Sequence, residues 1–161
     1  MLIKTFGSQR RYLVFLVLGV ITVTLLFNTF MVPQTMARSS LTREQIKAMV
    51  IRQAQGWENQ DAAAIAEDFA EDALFVAAGF EFQGKQKIEQ AARDYFKQAH
   101  QTTVEIKNII IDGNKGAVEW DWRDRNRKTG KRGFAEDAIV FELANGKIVY
   151  WREYIEKKEP T

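Results

Sequence analysis

The stretch that decides the fold lies near the end of the chain. It reads AEDAIVFEL at 135–143, then the pair Asn145-Gly146, then KIVYWREYI at 147–155. Two runs rich in β-branched and aromatic residues around an Asn-Gly pair are a strong signal for a β-hairpin. The sequence therefore predicts two long antiparallel strands that end the folded part of the chain.

Each of these strands carries one carboxylate on an apolar face. Side chains alternate between the two faces of a strand, so Asp137 shares a face with Ile139 and Phe141. Glu153 likewise shares one with Val149, Trp151 and Ile155. One interpretation is a pair of cavity carboxylates, with burial and mutual repulsion raising the pKa of one of them. The other is a structural ion pair with Arg152, Arg123 or Lys147.

The preceding sequence predicts three helices and four further strands. Thr42 and Gln45 form a capping-box pattern before a helix that ends near Gly56, and Asp61 caps a short second helix. A third helix is expected at about 85–100, with short strands at 72–77 and 80–82 before it and long strands at 103–112 and 117–124 after it. The two strands of the closing hairpin then follow at 134–143 and 147–155. Short turns between long strands indicate a mainly antiparallel sheet, and helices covering one face of it make an α+β domain.

Residues 1–37 differ from the rest of the chain. They contain Lys4, Arg10 and Arg11 but no acidic residue, and an apolar run follows from 12 to 32. This pattern predicts either a signal peptide cleaved near Ala37 or a transmembrane anchor through residues 12–32. In both cases the folded part is expected outside the cytoplasm, held at the membrane or released to the periplasm or the exterior.

Composition excludes several classes of site. The chain has 23 Lys and Arg against 21 Asp and Glu, and removing residues 1–37 leaves 20 against 21, so nothing indicates a nucleic-acid partner. The sequence has no cysteine and a single histidine, His100, which the helix pattern places at the end of the third helix. We therefore expect neither a metal site nor a Ser-His-Asp triad.

Four motifs, taken in order, resemble the SnoaL-like branch of the nuclear transport factor 2 (NTF2) superfamily. They are Trp57-Glu58-Asn59-Gln60-Asp61, Phe69-Ala70-Glu71-Asp72-Ala73, Phe82-Gln83-Gly84-Lys85 and the closing hairpin with Trp151-Arg152-Glu153-Tyr154. The resemblance covers residues 41–156 and leaves 157–161 as a charged, loose tail. It implies a cone in which three helices pack on a curved sheet around a cavity. It also implies a homodimer formed through the convex face of the sheet.

The family includes cyclases, isomerases, dehydratases, epoxide hydrolases and non-catalytic binding domains. The resemblance places Glu153 at the position of a catalytic aspartate of the epoxide hydrolase. The hydrolase's other polar residues correspond to Phe75 and Ala77 and fall near Trp120 and Trp122, so that activity is not expected. The fold alone does not select a reaction.

We consider three functions for this domain. The first is binding of a small hydrophobic ligand; the expected pocket residues are Trp57, Phe75, Phe96, Trp120, Trp122, Ile139, Phe141 and Trp151. The second is a cofactor-independent dehydratase, isomerase or cyclase, with Glu153 as base and Asp137 as proton partner or electrostatic helper. The third is a protein-interaction module without a ligand. Carboxylates that open into an apolar cavity without a cation would favour catalysis, whereas ion-paired ones would favour binding or a structural role.

Overall fold

The computed structural model describes residues 41–159. The expected signal peptide or anchor in residues 1–37, its cleavage near Ala37 and the end of the tail lie outside this range. Among the described residues, no helix has the length and apolar character needed to cross a membrane.

The described part of the chain contains three helices, and their ends follow from local chemistry. Helix α1 spans Arg43–Glu58, and its capping box is confirmed: Gln45 N donates to Thr42 Oγ1 at 3.2 Å, and Thr42 N donates to Gln45 Oε1 at 2.8 Å. Helix α2 spans Ala62–Glu67 and begins at the predicted Asp61 cap. Gly56 does not end α1. It is buried within the helix, where an added Cβ would come 2.7 Å from Ile65 Cγ1, so glycine lets α2 approach closely.

The third helix is shorter than predicted. Helix α3 spans Lys85–Gln98, and Ala99 already has an extended backbone with φ −125° and ψ 157°. His100 therefore belongs to a strand, paired with Arg125, and not to the end of a helix. The helical periodicity through Ala99 predicted the helix correctly but missed the point at which sheet pairing takes over.

Six strands form one curved sheet in the order β2-β1-β6-β5-β4-β3. Their bounds are β1 Phe69–Ala77, β2 Phe80–Gln83, β3 Ala99–Asp112, β4 Lys115–Asn126, β5 Arg132–Ala144 and β6 Lys147–Lys158. Every neighbouring pair is antiparallel except β1 and β6, which run parallel. The α+β architecture and the mainly antiparallel sheet are thus as predicted, although β1 begins three residues before the predicted strand at 72–77.

The closing hairpin has one irregularity that the sequence did not indicate. Leu143 pairs with Ile148 and Glu142 with Tyr150, so Val149 is bulged out of the register. As a result Ile148 and Trp151 are both buried, although strict alternation would place them on opposite faces. At the other end β6 continues through Lys158, so Lys157 and Lys158 belong to the sheet and not to a loose tail.

A substitution at Gly116 tests the register in which β4 pairs with β5. Gly116 pairs with Phe141 on β5, and an added Cβ would lie 2.3 Å from Phe141 Cζ and 2.6 Å from the carbonyl oxygen of Ile110. Because the ring is buried and the oxygen belongs to the backbone, neither can yield cheaply. We expect Gly116→Ala to lower the free energy of unfolding by about 2 kcal/mol, measured by urea denaturation. An unchanged stability would contradict the pairing of Gly116 with Phe141.

Candidate active site

A cavity of about 600 Å³ opens at the end of the sheet where β4 ends and β5 begins. Its walls are mainly aromatic and aliphatic, and they come from α1, β1, β2, α3 and the last three strands. The apolar wall residues are Trp57, Phe75, Ala77, Ala78, Phe80, Phe82, Ala91, Tyr95, Trp122, Phe134, Ala135 and Ile155. A cavity of this size and character suits a small organic molecule.

Both predicted carboxylates lie in this wall. Asp137 pairs with Ile155, and Ile139 pairs with Glu153, so the two acids are diagonal neighbours on the same face of β5 and β6. Asp137 is buried, with 6 % of its surface exposed, whereas Glu153 is half-buried. Glu153 is therefore the acid that a bound molecule can reach more easily.

Each carboxylate accepts a hydrogen bond from a tryptophan of the core. Trp120 Nε1 donates to Asp137 Oδ2 at 3.1 Å, and Trp151 Nε1 donates to Glu153 Oε1 at 2.9 Å. These hydrogen bonds from the core fix the orientation of both carboxylates. Asp137 Oδ1 is buried without a hydrogen-bond partner among the described residues. A buried oxygen without a donor favours the protonated form of its carboxyl group.

Neither Asp137 nor Glu153 forms an ion pair within residues 41–159. The ion pairs of this part of the chain all involve other Asp and Glu residues. Burial raises the pKa of Asp137 from 3.8 to about 6, opposed by the Trp120 hydrogen bond. Burial together with the charge of Asp137 raises the pKa of Glu153 from 4.5 to about 7, opposed by the Trp151 hydrogen bond. The pair of carboxyl groups therefore exchanges protons near neutral pH.

The expected pocket residues divide into two groups. Trp57, Phe75 and Trp122 line the cavity, whereas the other five do not. Those five are packed into the core beside it: Phe96, Trp120, Ile139, Phe141 and Trp151. Within this group Phe141 stacks on Trp151, with ring centroids 5.8 Å apart, so these side chains support the site instead of contacting its contents.

One polar cluster in the wall was not predicted. Tyr95 on α3 donates its hydroxyl hydrogen to Asp124 on β4, and Trp122 Nε1 donates to Tyr95 OH at 3.1 Å. Burial and the neighbouring Asp124 carboxylate raise the pKa of Tyr95, which keeps it a neutral donor. Strand alternation could have revealed Asp124, because it follows Trp120 and Trp122 at a spacing of two. Asp124 also lies inside the basic run at 123–132, a composition that is typical of a solvated hairpin tip.

The carboxylate of Asp124 needs a glycine opposite it. Gly133 pairs with Asp124 across β4 and β5, and an added Cβ there would lie 2.4 Å from Asp124 Oδ1.

Within the described part of the chain, the acidic and histidine side chains form no group arranged to hold a metal ion.

Comparison with known proteins agrees with this architecture. The family model described as a SnoaL-like domain matches residues 50–151. No curated protein matches the chain. Several solved structures are similar in fold.

One of these structures is a protein with a ketosteroid isomerase-like fold from Catenulispora acidiphila in complex with trimethylamine. It is 18% identical with a TM-score of 0.62, covering 66% of this chain and 83% of its own. An LEH-like epoxide hydrolase of M. tuberculosis is 20% identical with a TM-score of 0.62, covering 70% and 84%. A putative SnoaL-like polyketide cyclase from Jannaschia sp. CCS1 is 14% identical with a TM-score of 0.63, covering 73% and 91%.

At these identities the solved structures establish the fold alone, which is the NTF2-like α+β fold. The family match covers more than half of the chain, including β1, all three helices in part or whole and the hairpin up to Trp151. The chain belongs to the SnoaL-like domain family.

Proposed function

We propose that this domain binds an apolar organic molecule in its cavity and transfers a proton on it through Glu153, as a cofactor-independent isomerase, dehydratase or cyclase does. The observation that carries the proposal is a pair of carboxyl groups in a mainly apolar wall, neither of which forms an ion pair within residues 41–159. Structural acids in such surroundings normally have a partner, because an unpaired buried charge is unfavourable. Two neighbouring carboxyl groups that have no ion-pair partner and have raised pKa values are typical of sites of acid–base catalysis.

The two acids would have different roles. Glu153 borders the cavity and its pKa of about 7 is close to the pH at which a general base is most effective. Asp137 is less exposed to solvent, and its charge raises the pKa of Glu153. We therefore assign proton transfer to Glu153 and treat Asp137 as a positioning residue that adjusts the proton affinity of Glu153.

At two positions the wall lacks the polar residues that the resemblance would require for hydrolysis of an epoxide. Phe75 and Ala77 line the cavity at the positions that the resemblance assigns to the hydrolase's tyrosine and asparagine. Neither side chain can donate or accept a hydrogen bond, so they cannot hold an attacking water molecule.

Direct titration tests the electrostatics of the proposal. In ¹³C-labelled protein we expect the Glu153 carboxyl to titrate with a midpoint of about 7 and that of Asp137 at about 6. Glu136 and Glu156, on the outer face, serve as internal comparisons. Midpoints for Glu153 and Asp137 near their ordinary values of 4.5 and 3.8 would overturn the proposal.

Proton transfer itself can be measured without knowing the natural substrate. A panel of cyclic enolisable ketones that fit the cavity is incubated with the protein in D₂O, and deuterium incorporation at the carbon next to the carbonyl is followed by mass spectrometry. We expect exchange above the buffer rate for at least one ketone that also quenches tryptophan fluorescence. Ketones that bind without any exchange would favour the alternative, a non-catalytic binding domain with the same cavity.

A further inference from the structure

The mouth of the cavity is basic although its interior is acidic. Lys131 comes just before β5 and Arg132 is its first residue, whereas Lys157 and Lys158 end β6; all four line the cavity. The chain after residue 37 is close to neutral overall, since it contains 20 basic and 21 acidic residues. This group of cations is thus a local feature and does not reflect the charge of the whole domain.

Strand pairing distinguishes these cations from one another. Lys157 pairs with Ala135, two residues from the Asp137–Ile155 pair, so Lys157 lies on the face of the sheet that carries the two cavity acids. Lys158 lies on the opposite face, where its Nζ is 3.0 Å from Glu136 and 2.9 Å from Glu156. Lys131 comes just before β5, and its carbonyl oxygen accepts from Asn126 N, another residue of the mouth.

Lys131 and Lys157 have no carboxylate within 4.0 Å among residues 41–159, whereas Lys158 has two. Both side chains are exposed. The acids that also border the opening are Asp124 and Glu159. Asp124 already accepts hydrogen bonds from Tyr95 and Trp122. The two lysines are therefore available to an anion at the mouth.

Resting on the cavity of the proposed function, we infer that its ligand is an anionic amphiphile: a bulky apolar body with one anionic head group, held at the mouth by Lys131 and Lys157. The apolar body would lie among the aromatic rings and reach Glu153. The head group would stay outside, because a second anion beside Asp137 and Glu153 would be repelled. A cationic head group is disfavoured because it would have to remain next to the two lysines.

Two dyes with the same ring system provide a matched test. 1-Anilinonaphthalene-8-sulfonate carries a sulfonate, and N-phenyl-1-naphthylamine lacks it. Binding to the full chain is followed by quenching of tryptophan fluorescence. The four tryptophans of the sequence contact one another in a row at or beside the cavity. Their ring centroids are 5.5 Å apart for Trp57 and Trp122, 6.3 Å for Trp122 and Trp120, and 5.9 Å for Trp120 and Trp151.

We expect Lys131→Gln combined with Lys157→Gln to weaken binding of the sulfonate dye about fivefold, the scale of exposed ion pairs, and to change the neutral dye by less than about twofold. The matched control is Lys47→Gln combined with Lys87→Gln. It removes the same charge from exposed positions on α1 and α3 outside the cavity and should affect neither dye. Added salt should weaken only the sulfonate dye.

The outcomes separate the two proposals. If both dyes quench the tryptophans but the sulfonate dye is insensitive to the lysines, or both dyes weaken equally in the lysine variant, the inference about the head group is wrong and the cavity remains. If neither dye binds the unaltered chain, the ligand-binding cavity and the inference built on it both fail.

Discussion

Replacing Glu153 by glutamine is expected to lower deuterium exchange into a bound ketone by about 10²- to 10⁴-fold, the contribution typical of a general base. Glutamine has the same shape, and its amide oxygen can still accept from Trp151 Nε1, which donates to Glu153 Oε1 at 2.9 Å. Only the ability to take up a proton is removed. Binding of the ketone, measured by tryptophan quenching, should therefore change little while the exchange rate falls.

Glu156→Gln is the matched control for that variant. Glu156 is on the same strand but on the outer face, where it contacts Lys158. We expect its exchange rate to remain close to that of the unaltered protein. Exchange that persists in Glu153→Gln would show that another group removes the proton, and the assignment of Glu153 would be wrong.

Asp137→Asn should act differently, because Asp137 affects the reaction through Glu153. Its negative charge contributes to the raised pKa of Glu153, so removing it should move the acid limb of the rate–pH profile to lower pH. A residue with a merely structural role would lower the rate without moving the profile.

The sequence predicted that each acid lies on an apolar face of its own strand, because strand alternation is a local property. Asn145 and Gly146 both have positive φ, 53° and 77°, as the Asn-Gly turn requires, and this turn sets the register of β5 with β6 as far as Leu143 and Ile148. Continued without the bulge at Val149, that register would pair Glu153 with Ala138 and place the two acids on opposite faces. The bulge shifts the register by one residue, so that Glu153 pairs with Ile139 and both acids share one face. The family resemblance added the cone and the position of its cavity.

Depth along a strand could not be predicted in the same way. Alternation gives Trp151 and Glu153 the same face, but it does not say which of them is packed in the core and which borders the cavity. That depends on packing between residues far apart in the sequence, such as the contacts of Trp151 with Phe69 and Trp120. Trp120, Phe141 and Trp151 therefore appeared to be wall residues although they are core. The Tyr95–Asp124 contact likewise joins a helix to a strand 29 residues later and has no local signal.

The free energy of unfolding of the unaltered domain is expected to rise by about 3 kcal/mol as the pH falls from 8 to 5. This figure sums the two carboxyl groups at about 1.36 kcal/mol per unit of pKa shift and is reduced to allow for relaxation of their surroundings. Folding raises the pKa of Asp137 from 3.8 to about 6 and that of Glu153 from 4.5 to about 7. Between its ordinary and its raised pKa each group binds more protons in the folded state. Stability is then lost as the pH rises, and the loss is complete above about pH 7.

Other acids act in the opposite direction but in a different pH range. Contacts with lysines lower the pKa values of Glu67, Asp94 and Glu105, so their stabilisation is lost only as the pH falls below their ordinary values of 4.5, 3.8 and 4.5. Between pH 5 and 8 these groups stay ionised in both states. The slope in this interval therefore reports mainly on the two cavity acids.

Urea denaturation at pH 5 and pH 8 measures this slope, and a double variant assigns it. Asp137→Asn combined with Glu153→Gln should flatten the dependence and make the domain more stable than the unaltered protein at pH 8, because no charge is then desolvated. Glu136→Gln combined with Glu156→Gln removes two outer-face acids and should leave the slope unchanged. If the unaltered protein is instead more stable at pH 8, Asp137 and Glu153 are ionised and stabilised in the folded state, and the acid–base mechanism has no physical basis.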